Sequence, residues 1–147
     1  MSMAMTRAER EAFLADVHVG VLSVDDPGRG PLSVPIWYWY EPGGDVHIVT
    51  GADSRKGRLL RKATRATMVV QTEAPPYKYA TIEGPLTLGT PEYDRDLRQV
   101  AYRYLGPAFG EQYLKSSGSG ESVAGQILVR ITPEHWLTVD YGKAGGG

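Results

Sequence analysis

The segment Thr50-Gly51-Ala52-Asp53-Ser54-Arg55-Lys56-Gly57-Arg58-Leu59-Leu60-Arg61-Lys62 carries the densest chemistry in the chain. It reads as the end of a strand, a tight turn and a helix. Ser54 stands where an N-cap belongs, and the first helical turn that follows leaves several backbone N–H groups without partners. Those donors and the helix dipole favour an anion at that end. Arg55 and Lys56 add positive charge, and the hydroxyls of Thr50 and Ser54 can donate to phosphate oxygens. Six of the 16 basic residues fall between 55 and 65 (Arg55, Lys56, Arg58, Arg61, Lys62, Arg65), with no acid among them. A solvated helix face would show the same charge. The strand–turn–helix context, with Thr and Ser at its mouth, points instead to a phosphate site.

Two further segments could serve a bound group. Pro35-Ile36-Trp37-Tyr38-Trp39-Tyr40 puts rings on both faces of one strand. One face can fill a core and the other an interface, or a flat aromatic cofactor can lie against such a wall. Lys78 and Tyr79 enter a later strand after the bend Ala74-Pro75-Pro76, where a cation and a phenol could meet an anion.

Protein-derived catalysis has no visible constellation. His18, His47 and His135 lack metal-site spacing, and neither G-x-S-x-G nor G-x-G-x-x-G occurs. Glu9, Glu11, Asp94 and Asp96 read as solvated helix surface. An enzyme built this way would borrow its chemistry from a cofactor.

The elements that must position these residues fit one domain of 147 residues. With no Cys, the chain has no disulfide scaffold, thiolate metal site or Cys nucleophile. The balance of 16 basic against 17 acidic groups argues against bulk capture of nucleic acid or acidic membrane. No apolar run is long enough to span a bilayer and no signal-peptide pattern opens the chain, so the expected location is cytoplasmic.

Thr6 and Glu9 have capping-box spacing at the start of a helix over about 6–16. Three strands then run as a meander: one from Val19 to Val24, one in which Leu32, Val34, Ile36, Tyr38 and Tyr40 share a face, and one from Asp45 to Gly51. A helix over 54–64, strands from Ala66 to Glu73 and from Lys78 to Leu88, and a helix beginning near Pro91 follow, with Gly84-Pro85 as a bulge or break. Gly106-Pro107 stops or kinks that helix, and a second short helix carries Phe109, Tyr113 and Leu114. A flexible loop is expected over 116–122, strands over 126–131 and 136–141, and a frayed tail over 143–147. The expected fold is mainly β with flanking helices, six to seven strands closing as a small barrel to hide their edges.

The opening helix and hairpin, then Thr50…Ser54-Arg55-Lys56, then Tyr79-Ala80-Thr81-Ile82-Glu83-Gly84, resemble the pyridoxamine 5'-phosphate oxidase-like split β-barrel proteins, which include flavin- and deazaflavin-binding oxidoreductases. The resemblance covers nearly the whole chain, and the Ser-Arg-Lys element is its most specific part. The ending from Ile131 to Lys143 is similar to members that use coenzyme F420. The resemblance implies a homodimer with cofactor sites at the subunit seam. Arg55 and Lys56, helped by Thr50 and Ser54, would hold the cofactor phosphate. Val34, Pro35, Ile36 and Trp37 would line its ring, and Lys78 and Tyr79 would reach it, often from the other subunit. True phosphate oxidases carry a longer C-terminal segment with arginines and a Trp for their substrate. This chain stops soon after Tyr141, so oxidation of pyridoxamine phosphate is not expected.

Both FMN and coenzyme F420 carry a phosphate beyond a ribityl chain. The surplus cations Arg58, Arg61, Lys62 and Arg65 would suit the anionic glutamate tail of coenzyme F420, which is the first expectation, with FMN second. The expected activity is hydride transfer between the reduced cofactor and a small conjugated substrate. A non-catalytic carrier or sensor of flavin, deazaflavin or haem on the same scaffold is the alternative. A small nucleic-acid-binding barrel is disfavoured by the charge balance.

Overall fold

The computed structural model describes residues 2–117 and 123–144. Helix α1 spans Arg7–Ala15, and its capping box forms: the Glu9 N–H donates to Thr6 Oγ1 while the Thr6 N–H donates to the Glu9 carboxylate. Phe13 and Leu14 on its inner side are buried. Eight strands follow: β1 Gly20–Val24, β2 Leu32–Ile36, β3 Trp39–Tyr40, β4 Val46–Gly51, β5 Arg65–Gln71, β6 Lys78–Gly89, β7 Gln126–Ile131 and β8 His135–Asp140. Helix α2, Arg55–Lys62, sits between β4 and β5, and α3, Gln99–Ser116, lies between β6 and β7, preceded by a π-helical turn over Tyr93–Arg98.

The strand order is β2-β1-β5-β6-β7-β4-β3, all antiparallel, with β8 added to β6. It forms an antiparallel half-barrel. Strand β6 belongs to both of its halves. Its first part pairs with β5 and β8, and from Leu86 onward it pairs with β7. The change of partner falls at Gly84-Pro85, the expected bulge or break. A β-carbon on Gly84 would lie 1.7 Å from the Thr132 carbonyl oxygen, so only glycine fits that crossing.

The count is eight rather than six to seven because the expected strand over 32–40 is two strands. β2 pairs with β1 and β3 pairs with β4, so the chain passes from the first strand of the order to the last through Trp37 and Tyr38. The inward alternation survives the change: Ile36, Tyr38 and Tyr40 are all buried. Tyr38 is fully buried, donates its hydroxyl to the Leu14 carbonyl at 2.6 Å, and its N–H donates to the Tyr104 hydroxyl of α3. Barrel, α1 and α3 therefore meet on this one residue. The inner row of the larger half, Leu22, Met68 and Ile82, is fully buried. Burying side chains of this size stabilises by roughly 1.5–3 kcal/mol each.

Gly106 (φ 78°) kinks α3 ahead of Pro107, as expected. Of the loop expected over 116–122, Ser116 ends α3, Ser117 follows it, and 118–122 lie outside the described residues. Of the tail expected over 143–147, Lys143 closes a 3-10 turn and binds the Glu9 carboxylate and the Ala4 carbonyl, while 145–147 lie outside the described residues.

Candidate functional site

Ser54 caps α2 as expected. Its hydroxyl accepts from the Gly57 N–H at 3.0 Å and donates to the Gly51 carbonyl at 2.8 Å. The cap leaves the amides of Arg55 and Lys56 without a partner among the described residues. It also commits the Ser54 hydroxyl to the turn rather than to a ligand. Thr50 is buried, its hydroxyl 3.5 Å from that of Ser54.

The cations of α2 separate. Arg55 reaches across to an ion pair with Asp26 in the β1–β2 loop. Arg61 lies 3.6 Å from Asp53 on the exposed side, and Arg65 is bound by Glu83 and Glu134. Among the described residues, Lys56, Arg58 and Lys62 have no carboxylate in ion-pair range. Lys56 alone of these is half-buried, and burial holds its pKa below the usual lysine value.

Lys56 faces a cavity of about 430 Å3, a size suited to a small-molecule ligand. Pro35, Ile36 and Trp37 line the cavity too, at the end of β2, and α3 closes it with Val100 and Tyr113. Trp37 is held flat against Tyr104, ring centroids 5.0 Å apart with planes 5° from parallel, and is flanked by Tyr113. Val34 is not in this wall. Its register puts it on the inner row beside Leu22, packed against the core. β2 is an edge of the strand order, so among the described residues its outer backbone groups have no ladder partner and can face a polar ring edge.

Lys78 and Tyr79 do not join this site within one chain. They lie on β6, three strands from β2, roughly 14 Å at the usual strand spacing. Lys78 sits 4.0 Å from Asp140, and Tyr79 is half-buried between Gln71 and Val139. The face that Tyr79 belongs to carries a largely apolar row beside a polar one, Ser33, Ser23, Thr67, Glu83 and His135. Pro35, Val21, Val69, Thr81 and Leu137 stand in one unbroken register row across β2, β1, β5, β6 and β8. Val21 and Leu137 on that row are 37% and 60% exposed.

Two residues of the cavity escaped the sequence reading. Asp96, expected on solvated helix surface, is 2% exposed. Burial pushes its pKa up, but bonds from Arg95, the Glu92 N–H and Trp39 Nε1 outweigh that and hold it below the usual carboxylate value. The available signal was its place on the apolar stripe, three residues after Tyr93 and four before Val100. His47 lines the cavity from the outer face of β4, half-buried where the π-helical turn packs on that strand and stacked on Trp39. Val49, two residues on along the same face, was its signal. Among the described residues no group of His, Cys, Asp and Glu could hold a metal ion, and no helix is long and apolar enough to cross a membrane.

Residues 6–137 match the family model described as pyridoxamine 5'-phosphate oxidase. No curated protein matches the sequence significantly. Among solved structures, the chain is similar to a conserved hypothetical protein, Rv2991, of Mycobacterium tuberculosis, at 23% identity and a TM-score of 0.80, covering 99% of this chain and 91% of that one. A protein described as F420 reductase matches at 17% identity and TM-score 0.68, covering 86% and 94%. General Stress Protein 26 of Bacillus anthracis matches at 15% and 0.65, covering 92% and 95%. At these identities the likeness shows a shared split-barrel fold.

Proposed function

The chain belongs to the pyridoxamine 5'-phosphate oxidase family, and from that premise we propose a cofactor-dependent oxidoreductase. It moves a hydride between reduced coenzyme F420, or FMN as second choice, and a small conjugated substrate. The observation that carries this reading is Lys56. A half-buried ammonium with no counter-ion among the described residues, beside two amides that likewise lack a partner there at a helix N-terminus, opens on an aromatic-walled cavity. Each part alone is common, but together they fit a phosphate joined to a flat ring.

The residues fit either cofactor. Lys56 and the amides of Arg55 and Lys56 would hold the phosphate. Arg55 would take part by turning from Asp26, and Thr50 and Ser54 keep the turn in shape. Pro35 to Trp37 and the free backbone edge of β2 would flank the ring, with Val34 contributing backbone only. Arg58 and Lys62, both exposed and without carboxylate partners among the described residues, suit an anionic tail, and Arg61 stands beside them. This surplus of cations favours coenzyme F420. The cofactor supplies the hydride chemistry when bound. The chain contributes position and exclusion of water, with Trp37 locked between Tyr104 and Tyr113.

The working unit is a homodimer. The largely apolar row from Pro35 to Leu137 has no cover among the described residues of one chain, and a second copy would bury it. That copy would also bring Lys78 and Tyr79 to the partner's cofactor, which they do not reach within their own chain. The site is on this reading completed by the partner.

The test is turnover. Purified protein with reduced coenzyme F420 and a panel of quinones, enones and nitroaromatics should consume the cofactor. Binding without turnover across such a panel would make it a carrier instead.

A further inference from the structure

The cavity holds one group that positioning of the cofactor leaves unused. The His47 imidazole lies flat on the Trp39 indole, centroids 3.7 Å apart and planes within 3°. Its Nδ1–H donates to the Asp45 carbonyl at 3.1 Å, which fixes the tautomer and leaves the lone pair on Nε2. Among the described residues nothing donates to Nε2. Burial keeps the ring neutral, lowering its pKa to about 4.

The ring is braced from behind. Trp39 Nε1–H donates to Asp96 at 2.9 Å, and Asp96 is pinned by both arms of Arg95 and by the Glu92 N–H. Arg95 pairs at 2.9 Å with both Asp96 and Glu92, so the Asp96 charge is held in an ion-pair assembly behind the indole. The imidazole delivers a fixed, neutral hydrogen-bond acceptor set among the flat apolar surfaces of Trp37, Trp39, Val49 and Leu97.

We infer that His47 is a specificity-determining residue on the substrate side of this cavity, selecting flat, uncharged molecules that carry an O–H or N–H donor. The inference rests on the cofactor phosphate occupying the Lys56 end, which leaves the His47 end to the substrate. A braced acceptor cannot turn away to find another partner. A ligand without a donor therefore leaves Nε2 desolvated and unpaired, and the site discriminates against it.

The test compares 2-naphthol with 2-methoxynaphthalene, the same flat body with and without the donor, by isothermal titration calorimetry. Parent protein should bind 2-naphthol roughly tenfold more tightly. His47→Phe keeps the stack but should bind both equally, at the weaker level, and His47→Gln, which restores an acceptor, should recover part of the preference. Equal binding by the parent, a preference that persists in His47→Phe, or no binding of either compound overturns the inference. So does loss of 2-naphthol binding once cofactor is loaded, because the cavity is then the cofactor's own seat. If no cofactor binds yet the preference and its loss in His47→Phe hold, the selectivity stands and the cofactor reading alone falls.

Discussion

The α-carbon of Gly57 packs so close to the end of β4 that a β-carbon there would lie 2.0 Å from the Gly51 carbonyl oxygen. The first turn of α2 therefore sits on backbone with no room for a side chain. This contact, with the Ser54 cap, holds the helix N-terminus and Lys56 at the mouth of the cavity. Because the obstacle is backbone, it cannot give way cheaply. Gly57→Ala should destabilise the protein by about 1–3 kcal/mol and weaken cofactor binding by shifting Lys56. Urea unfolding and a cofactor titration on the same preparation check both effects, and a variant matching the parent in both would contradict them.

Asp96 should be among the most sensitive polar positions. Asp96→Ala leaves the Trp39 and Glu92 N–H groups without their acceptor, while the half-exposed Arg95 keeps Glu92, and an unsatisfied donor in such a place costs about 1–3 kcal/mol. Asp96→Asn keeps an acceptor for the indole and should lose less. Thermal melts of the two variants beside the parent measure the order.

His47 should give stability a pH dependence of known sign. Its folded pKa, about 4, lies below the ordinary value of 6.5, so the unfolded chain binds the proton more tightly. The contribution is fully present above pH 6.5 and is lost as pH falls toward 4, on the order of 2 kcal/mol across that window. Denaturant unfolding from pH 7.5 to 4.5 should show the parent losing its advantage over His47→Gln as the solution acidifies. A constant difference between the two would rule the mechanism out.

The sheet face between Pro35 and Leu137 makes a prediction about assembly. A charge on that row would be buried without a partner at the seam. The parent should be a dimer by light scattering and the double variant Val21→Glu, Leu137→Glu a folded monomer, with cofactor affinity falling as the second subunit is lost. A monomeric parent would remove the basis for Lys78 and Tyr79 in the site.

The parts of this fold legible from sequence are those with a local cause. Thr6 with Glu9 and Ser54 before α2 announce their helices because a cap is satisfied within four residues. Gly106-Pro107 announces a kink because its backbone constraints are intrinsic. The break between β2 and β3 was hidden because the burial period of two runs straight through Trp37 and Tyr38 while the pairing partner changes. Asp96 and His47 were hidden for a related reason. Their burial is caused by packing between the π-helical turn with α3 and the outer face of β4, a contact between segments some fifty residues apart. The Thr50-to-Lys56 cluster was visible by residue type. That Ser54 is spent on the cap, Arg55 on Asp26 and Arg61 on Asp53, leaving Lys56 for the cavity, depends on partners that spacing does not reveal.

The most direct measurement is titration of the cofactor-free protein with coenzyme F420 and with FMN, followed by fluorescence quenching, for the parent and for Lys56→Ala. The expected result is saturation at one cofactor per chain, tighter for coenzyme F420, with Lys56→Ala weaker by roughly ten- to a hundredfold, the range of a charge-assisted hydrogen bond. No saturable binding of either cofactor, or a Lys56→Ala variant that binds as tightly as the parent, would contradict the assignment of this site.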